Sequence, residues 1–310
     1  MLSTETVHTI DELSSWPKDG QWLAVLGHPI QHSLSPFLHN STLDELKTKN
    51  PDFLSWRYFK FDIDPGQLKE ALDAFKEAGF VGLNLTVPHK VLAFGLVPRI
   101  SEEARPIGAI NTLRRVPGLG WEGHNTDSFG FAQALRADLK FDLRSSRVII
   151  LGAGGAARGA AFECLRQGVS ELWIANRTAA TLDRLISDLR PNIQPGTALH
   201  GFDPTQPCLD LPEGAAVINS TSLGLKAGDP AAIDLSKLPR PAVAFDMVYS
   251  PPVTAFLAQA ASLGIPHCNG LSMLAFQAVR ALSLWTGASF EQLGPPMLAA
   301  ARRTLHRDQP

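Results

Sequence analysis

Short apolar runs recur along the first third of the chain, at Gln21–Leu26, Trp56–Ile63 and Val81–Val87, with amphipathic stretches such as Gln67–Ala78 between them. Runs of that length, separated by segments of helical period, predict buried strands alternating with helices, the rhythm of a parallel βαβ sheet. The stretch RRVPGLGWEGHNTD, residues 114–127, breaks the rhythm and predicts a hairpin with Pro117-Gly118 near its tip. From Asp127 a helical pattern returns, and SRVIILGAGGAARGAAFECL opens a second series of strand, loop and helix. The chain thus reads as two α/β blocks, the second starting near Asp127. Leu271–Trp285 and Phe290–Arg303 predict two consecutive helices that could cap either block. The segment before Gln21 and the polar tail HRDQP receive no assignment.

Composition narrows the class. At 310 residues there is room for two domains, and 45% apolar with 19% charged residues is ordinary for a soluble globular enzyme. A net charge of −2 supplies no basic stripe, so no nucleic-acid partner is expected. The first residues lack the basic start and apolar run of a secretory signal, and no window approaches twenty apolar residues. A cytoplasmic protein with no membrane partner follows as the expectation. Cys164, Cys208 and Cys268 are odd in number and outside any CxxC spacing, which predicts reduced packing residues rather than a disulfide framework or zinc knuckle.

Candidate chemistry begins with the loop after Val148–Leu151. Gly152, Ala153, Gly154, Gly155 and Ala156 follow that apolar strand and open a helix, with a further strand at Glu171–Ala175. Glycines there permit a tight turn and close approach of backbone N–H groups to a pyrophosphate at the positive helix start. At the tip of the further strand stand Asn176, Arg177 and Thr178, with no acid for a ribose diol and one cation suited to a 2′-phosphate. The reading is NADP rather than NAD.

Other polar motifs fall where strands end. NLTVPHK puts Asn84, Thr86 and Lys90 at the end of an apolar strand, GAINTL offers Asn111, and HNTD offers Asp127. Each alone has a plainer explanation, as a solvated lysine, a helix cap or a turn residue. In GHPIQHSLSPFLHN the spacing of His28, His32 and His39 invites a metal reading, but Pro29 and Pro36 make the intervening stretch a loop. Pro36 fits a first helical turn with Ser35 as its N-cap, and no metal is expected.

Taken together these motifs resemble the shikimate dehydrogenase family. The ordered series is Ser33-Leu34-Ser35-Pro36, Asn84 to Lys90, Gly108 to Thr112, Asn125-Thr126-Asp127, Gly152 to Gly155, Asn176-Arg177-Thr178, Asn219 to Gly224, Asp246 to Tyr249 and Asn269 to Gln277. The resemblance implies an α/β fold of two domains: an N-terminal substrate domain, residues 1–126 completed by the last helices at 269–310, and a Rossmann-like NADP-binding domain at 127–268. It implies reversible reduction of 3-dehydroshikimate to shikimate on the way to chorismate and the aromatic amino acids, by a monomer or homodimer acting on a small-molecule substrate.

The site residues carry over from the same match. Lys90 and Asp127 correspond to the catalytic pair. Ser33 and Ser35 correspond to the carboxylate-binding serines, with Tyr249 nearby, and Asn84, Thr86, Asn111 and Gln277 to residues that bond the substrate's ring hydroxyls or carboxylate region. Thr221, Met247 and Gly270 fall beside the cofactor. Reduction of a ring ketone places negative charge on oxygen, so a positioned acid such as Lys90 suits the chemistry. Two alternatives share many of these features. One is an NAD-dependent quinate/shikimate dehydrogenase, from which the paired serines lean away. The other is a non-catalytic NADP-binding regulatory protein, whose signature would be loss of Lys90 or Asp127.

Overall fold

The structure is a computed structural model that describes residues 3–206 and 210–304. Cys208 and the tail HRDQP lie outside the described residues. The chain divides into two compact units, Met1–Thr126 with Ala275–Pro310, and Asp127–Leu274. The later division falls inside the helix that begins at Leu271.

In the first unit β1 (Val7–His8), β2 (Gln21–Gly27), α1 (Ser35–Lys47), β3 (Trp56–Asp62), α2 (Leu68–Ala78), β4 (Phe80–Leu85) and α3 (His89–Leu92) are followed by β5 (Arg99–Ile100), β6 (Thr112–Val116) and β7 (Gly120–His124). These strands form a seven-stranded sheet in the order β1-β3-β2-β4-β6-β7-β5. β2, β3 and β4 are parallel, whereas the expected hairpin β6–β7 joins the same sheet antiparallel to β4. β2 buries Leu23 to Gly27 without alternation, as a central parallel strand covered on both faces does. On α2 the buried residues Leu68, Ala71, Leu72, Phe75 and Ala78 follow helical spacing, and Gly79 ends the helix at φ 87°. β2 lies between β3 and β4, so the chain leaves it in opposite directions, and the ends of β2 and β4 form a switch point where such sheets bind ligands.

The segment left unassigned from the sequence is built into this unit. β1 adds to β3 in parallel, and the turn of 3-10 helix at Ile10–Ser15 packs on α2. Glu12 accepts from the Thr9 N–H at 2.9 Å and its other oxygen meets His8 Nδ1 at 2.8 Å. Trp16 enters the core edge-on to Phe59, with centroids 5.0 Å apart.

In the second unit α4 (Asp127–Leu139) precedes β8 (Arg147–Leu151), α5 (Gly155–Gln167), β9 (Glu171–Ala175), α6 (Ala179–Leu189), β10 (Ala198–Phe202), β11 (Ala216–Asn219), β12 (Val243–Asp246), α7 (Ala255–Ser262) and β13 (His267–Cys268). The sheet is wholly parallel, in the order β10-β9-β8-β11-β12-β13. Counted within the unit, that is third, second, first, fourth, fifth, sixth, the doubly wound dinucleotide-binding order. Its switch point lies between β8 and β11. Cys164 is buried and Cys268 half-buried, and both are free thiols.

α8 (Leu271–Thr286) and α9 (Phe290–Thr304) close the chain. α9 packs against α1, where the Thr42 hydroxyl meets the Met297 sulfur at 3.5 Å, so this helix completes the first unit. His39 of α1 is fully buried and stacks on Tyr58 with ring centroids 4.1 Å apart and planes 2° from parallel. Burial lowers its pKa to about 3, so the ring stays neutral in the fold while it takes up a proton near pH 6.5 when unfolded. Stability is therefore full above pH 6.5 and falls as the pH drops toward 3. Replacing His39 with Phe should shrink the loss of unfolding free energy between pH 7 and pH 4 by about 3 kcal/mol. Denaturant titrations at the two pH values check this, and an unchanged loss would place the proton uptake elsewhere.

Candidate active site

At the switch point of the first unit, carboxamides and hydroxyls share one buried cluster. Asn84, at the end of β4, donates from Nδ2 to Thr112 Oγ1 at 2.9 Å and to the Asn111 carbonyl at 3.1 Å. Asn111 Oδ1 accepts from the Thr126 N–H at 2.7 Å, and Asn111 Nδ2 donates to Thr126 Oγ1 at 3.0 Å. Gln277, from α8, joins through Oε1, which accepts from Asn111 Nδ2 at 3.4 Å. All four of these side chains are buried, as is Thr112. Polar groups are held in such a place only when bonded to one another, and this satisfied set fixes where each lone pair points.

Lys90 stands on the adjoining turn. His89 N–H bonds the Thr86 carbonyl at 2.8 Å, and the Lys90 carbonyl accepts from Ile110 N–H at 2.9 Å, one residue before Asn111. Thr86 is itself tied to β2 through its N–H and the Leu26 carbonyl at 2.9 Å. Gly27 permits that approach, since a Cβ there would lie 2.5 Å from the Thr86 methyl. Asp127 follows Thr126 directly in sequence and begins α4 of the second unit.

The serines differ from expectation in one respect. Ser35 is not the N-cap of α1 but its first residue, with Leu34 at the cap and Pro36 next in the helix. Ser33 takes over the capping chemistry, its hydroxyl accepting from the Ser35 N–H at 3.3 Å. The Ser35 side chain is thereby left close to the Tyr58 phenol, whose pKa it lowers against the larger effect of burial. The neighbouring histidines have separate occupations, His28 pairing with Asp62 at 2.6 Å while His39 stacks in the core. Among the described residues no three metal-ligating side chains are grouped.

In the second unit the glycine loop lies at the switch point. Gly152 takes φ 107°, and its N–H bonds the Ala175 carbonyl at 2.7 Å. A Cβ on Gly154 or Gly155 would meet nothing within 4 Å, and Gly154, Gly155 and Ala156 are exposed while Ala153 is buried. Open backbone at the start of a thirteen-residue helix fits the pyrophosphate of a dinucleotide. At the tip of β9, Asn176 Nδ2 holds the Thr178 carbonyl at 2.9 Å and Thr178 caps α6. Arg177 is exposed and makes no ion pair among the described residues.

Across the switch point, Asn219 and Asp246 brace the loops after β11 and β12. Asn219 Oδ1 accepts from the Thr221 hydroxyl at 2.7 Å, and Asn219 Nδ2 donates to Asp246 at 3.0 Å. Asp246 is fully buried and also accepts from Thr254 Oγ1 at 2.6 Å and Val248 N–H at 3.0 Å. Burial raises its pKa, opposed by those hydrogen bonds. Met247 is fixed by its N–H to the Asn219 carbonyl at 2.9 Å, and Gly270 packs against the Met247 carbonyl. Tyr249 belongs to this second unit, and burial raises the pKa of its phenol.

The first unit thus gathers Asn84, Asn111 and Gln277 and links Ser33 to Ser35, while the second gathers the glycine loop, Thr221, Met247 and Gly270. Sequence reasoning passed over Tyr58, Thr112, Thr126 and Asp246 as site-building residues, and it read Asn219 only as lying by the cofactor, not as the partner of Asp246. Four of the five lie inside or at the end of motifs already quoted. Tyr58 gave no signal beyond an aromatic in a strand.

A parallel sheet of this order, with a glycine turn at its switch point, defines a dinucleotide-binding α/β protein. The sequence model for the shikimate dehydrogenase substrate binding domain matches residues 25–113. A shikimate dehydrogenase (NADP(+)) of Methanopyrus kandleri is 35% identical over 86% of this chain and 90% of its own. The crystal structure of shikimate 5-dehydrogenase from Thermus thermophilus in complex with NADP(H) and shikimate is 34% identical, covering 92% of this chain and 100% of that one, with a TM-score of 0.75. A 5-ketofructose reductase of Gluconobacter, 28% identical, covers 92% of this chain and 99% of its own with a TM-score of 0.80, so the fold also serves another carbonyl substrate. The chain belongs to the shikimate dehydrogenase family.

Proposed function

We propose that the chain catalyses the NADP-dependent, reversible reduction of 3-dehydroshikimate to shikimate. The carrying observation is the buried cluster of Asn84, Asn111 and Gln277 beside the Lys90 turn, in a chain 35% identical to a shikimate dehydrogenase over most of its length. A polyol ring requires several fixed polar partners, because each buried group it left unpaired would cost free energy. When bound, NADPH supplies a hydride for the ketone carbon. Lys90 supplies the proton that the oxygen takes up, and Asp127 is its acidic partner in the pair. Ser33 and Ser35 hold the carboxylate together with Tyr249, and Thr86 completes the substrate set. Residues 1–126 and 269–310 carry substrate binding and 127–268 the cofactor. The chain acts as a monomer or homodimer. No helix of the described residues is long and apolar enough to cross a membrane. We assign the enzyme to the cytoplasm.

The deciding assay follows NADPH formation from shikimate, repeated with NAD and with quinate. Fast turnover of shikimate with NADP is the expected result; preference for quinate with NAD would instead select the quinate/shikimate reading. Arg177 is assigned the 2′-phosphate, together with the Asn176 and Thr178 turn. Arg177→Ser should raise the Michaelis constant for NADP by about tenfold, the loss of one charge-assisted bond, while leaving that for NAD nearly unchanged. Equal changes for the two cofactors would remove Arg177 from the phosphate site.

A further inference from the structure

Tyr58 is buried in β3 and bonds Asn84, a residue assigned to the substrate. Its phenol donates to Asn84 Oδ1 at 2.7 Å, and Ser35 lies close enough to favour the ionised phenol, against the larger effect of burial. We propose that Tyr58 is a positioning residue that fixes the carboxamide of Asn84 for substrate, an assignment that rests on the function proposed above. The argument turns on direction. Asn84 Nδ2 faces the Asn111 carbonyl, which can only accept, so Oδ1 must face Tyr58 and the phenol must be the donor. Both N–H groups of Asn84 are then spent on Asn111 and Thr112. What remains is a lone pair on Oδ1, and Asn84 can therefore accept from a ring hydroxyl but has no proton to offer a carboxylate.

The ring of Tyr58 is seated independently of its hydroxyl. Asn40 of α1 clamps the Tyr58 main chain in both directions, donating to its carbonyl at 2.8 Å and accepting from its N–H at 2.9 Å. His39 covers one face of the ring at 4.1 Å. Burial raises the phenol pKa well above its ordinary value, so the hydroxyl stays a donor across the working range of pH. Tyr58→Phe thus removes one donor and leaves the packing in place. Asn84 then loses one of the three bonds that hold its amide, the one on the oxygen side, and substrate and transition state are loosened together.

Steady-state kinetics with shikimate and NADP test this, using Tyr58→Phe, Asn84→Ala and the double variant. The Michaelis constant for shikimate should rise about three- to tenfold in Tyr58→Phe, the equivalent of one neutral hydrogen bond, with kcat held within about twofold. The constant for NADP should not move. On the Asn84→Ala background Tyr58→Phe should add less than about twofold, since residues acting through one another are not additive. An unchanged constant for shikimate, or the same rise on both backgrounds, overturns the assignment while the functional reading stands. Wild-type protein that binds NADP yet leaves shikimate unoxidised overturns the functional reading, and this assignment with it.

Discussion

Lys90→Ala is expected to lower kcat about a thousandfold in both directions while changing the Michaelis constant for shikimate less than about threefold. Negative charge reaches the ketone oxygen only as hydride arrives, so a proton donor there acts on the transition state and hardly on the bound ground state. The backbone gives the variant a clean interpretation. The Lys90 carbonyl is held by Ile110 N–H at 2.9 Å and the preceding turn by His89 N–H on the Thr86 carbonyl at 2.8 Å, neither of which involves the side chain. Truncation therefore removes the ammonium and leaves both of those backbone bonds in place. Losses of equal size in kcat and in binding would make Lys90 a binding residue only. Lys90→Arg separates charge from proton transfer, because a guanidinium keeps its proton throughout the cycle. Recovery by arginine would assign the group to stabilising an alkoxide that water protonates.

Lys90 could be picked out from the sequence because it sits in a run of polar residues at the end of a strand, and so could the glycine loop, whose chemistry is contained in a dozen consecutive residues. The parallel strands were legible for the same reason, since Leu23–Leu26 and Val148–Leu151 are continuous apolar runs bounded by glycine. What escaped depends on distance along the chain. Asn219 and Asp246 meet at 3.0 Å only because β11 and β12 are neighbours in the sheet. Tyr58 reaches Asn84 only because β2 separates their strands and both side chains point to one face. β1, at two residues, is too short to show a period, and its place depends on pairing with β3. Ser35 was misplaced by one step, because Ser33 and Ser35 are equally good capping residues and only the fold shows that Ser33 takes the bond while Ser35 faces Tyr58.

Gly270→Ala is expected to cost about a hundredfold in kcat/KM with NADP and about 1–3 kcal/mol of stability. The reason is space rather than backbone angle. A Cβ on Gly270 would press on the Met247 carbonyl oxygen and lie 2.7 Å from the Met247 carbonyl carbon, and both are main-chain atoms with no rotamer to yield. Nor can the segment slide freely. Gly270 N–H bonds the Val248 carbonyl at 3.2 Å, the Gly270 carbonyl accepts from Leu274 at the start of α8, and Met247 N–H is tied to Asn219. Relief therefore has to come from moving Met247 to Tyr249, a segment assigned to both the cofactor and the substrate carboxylate, and a displacement on the order of an ångström is enough to cost about a hundredfold. Thermal unfolding and kinetics measured below the midpoint separate the two effects. Met247→Ala serves as the contrast: it keeps the carbonyl where it is and deletes only the side chain, so it should lose less than Gly270→Ala. If Gly270→Ala retained wild-type kinetics, the main chain at Met247 would have to be free to move, and its role beside the cofactor would have to pass to other residues.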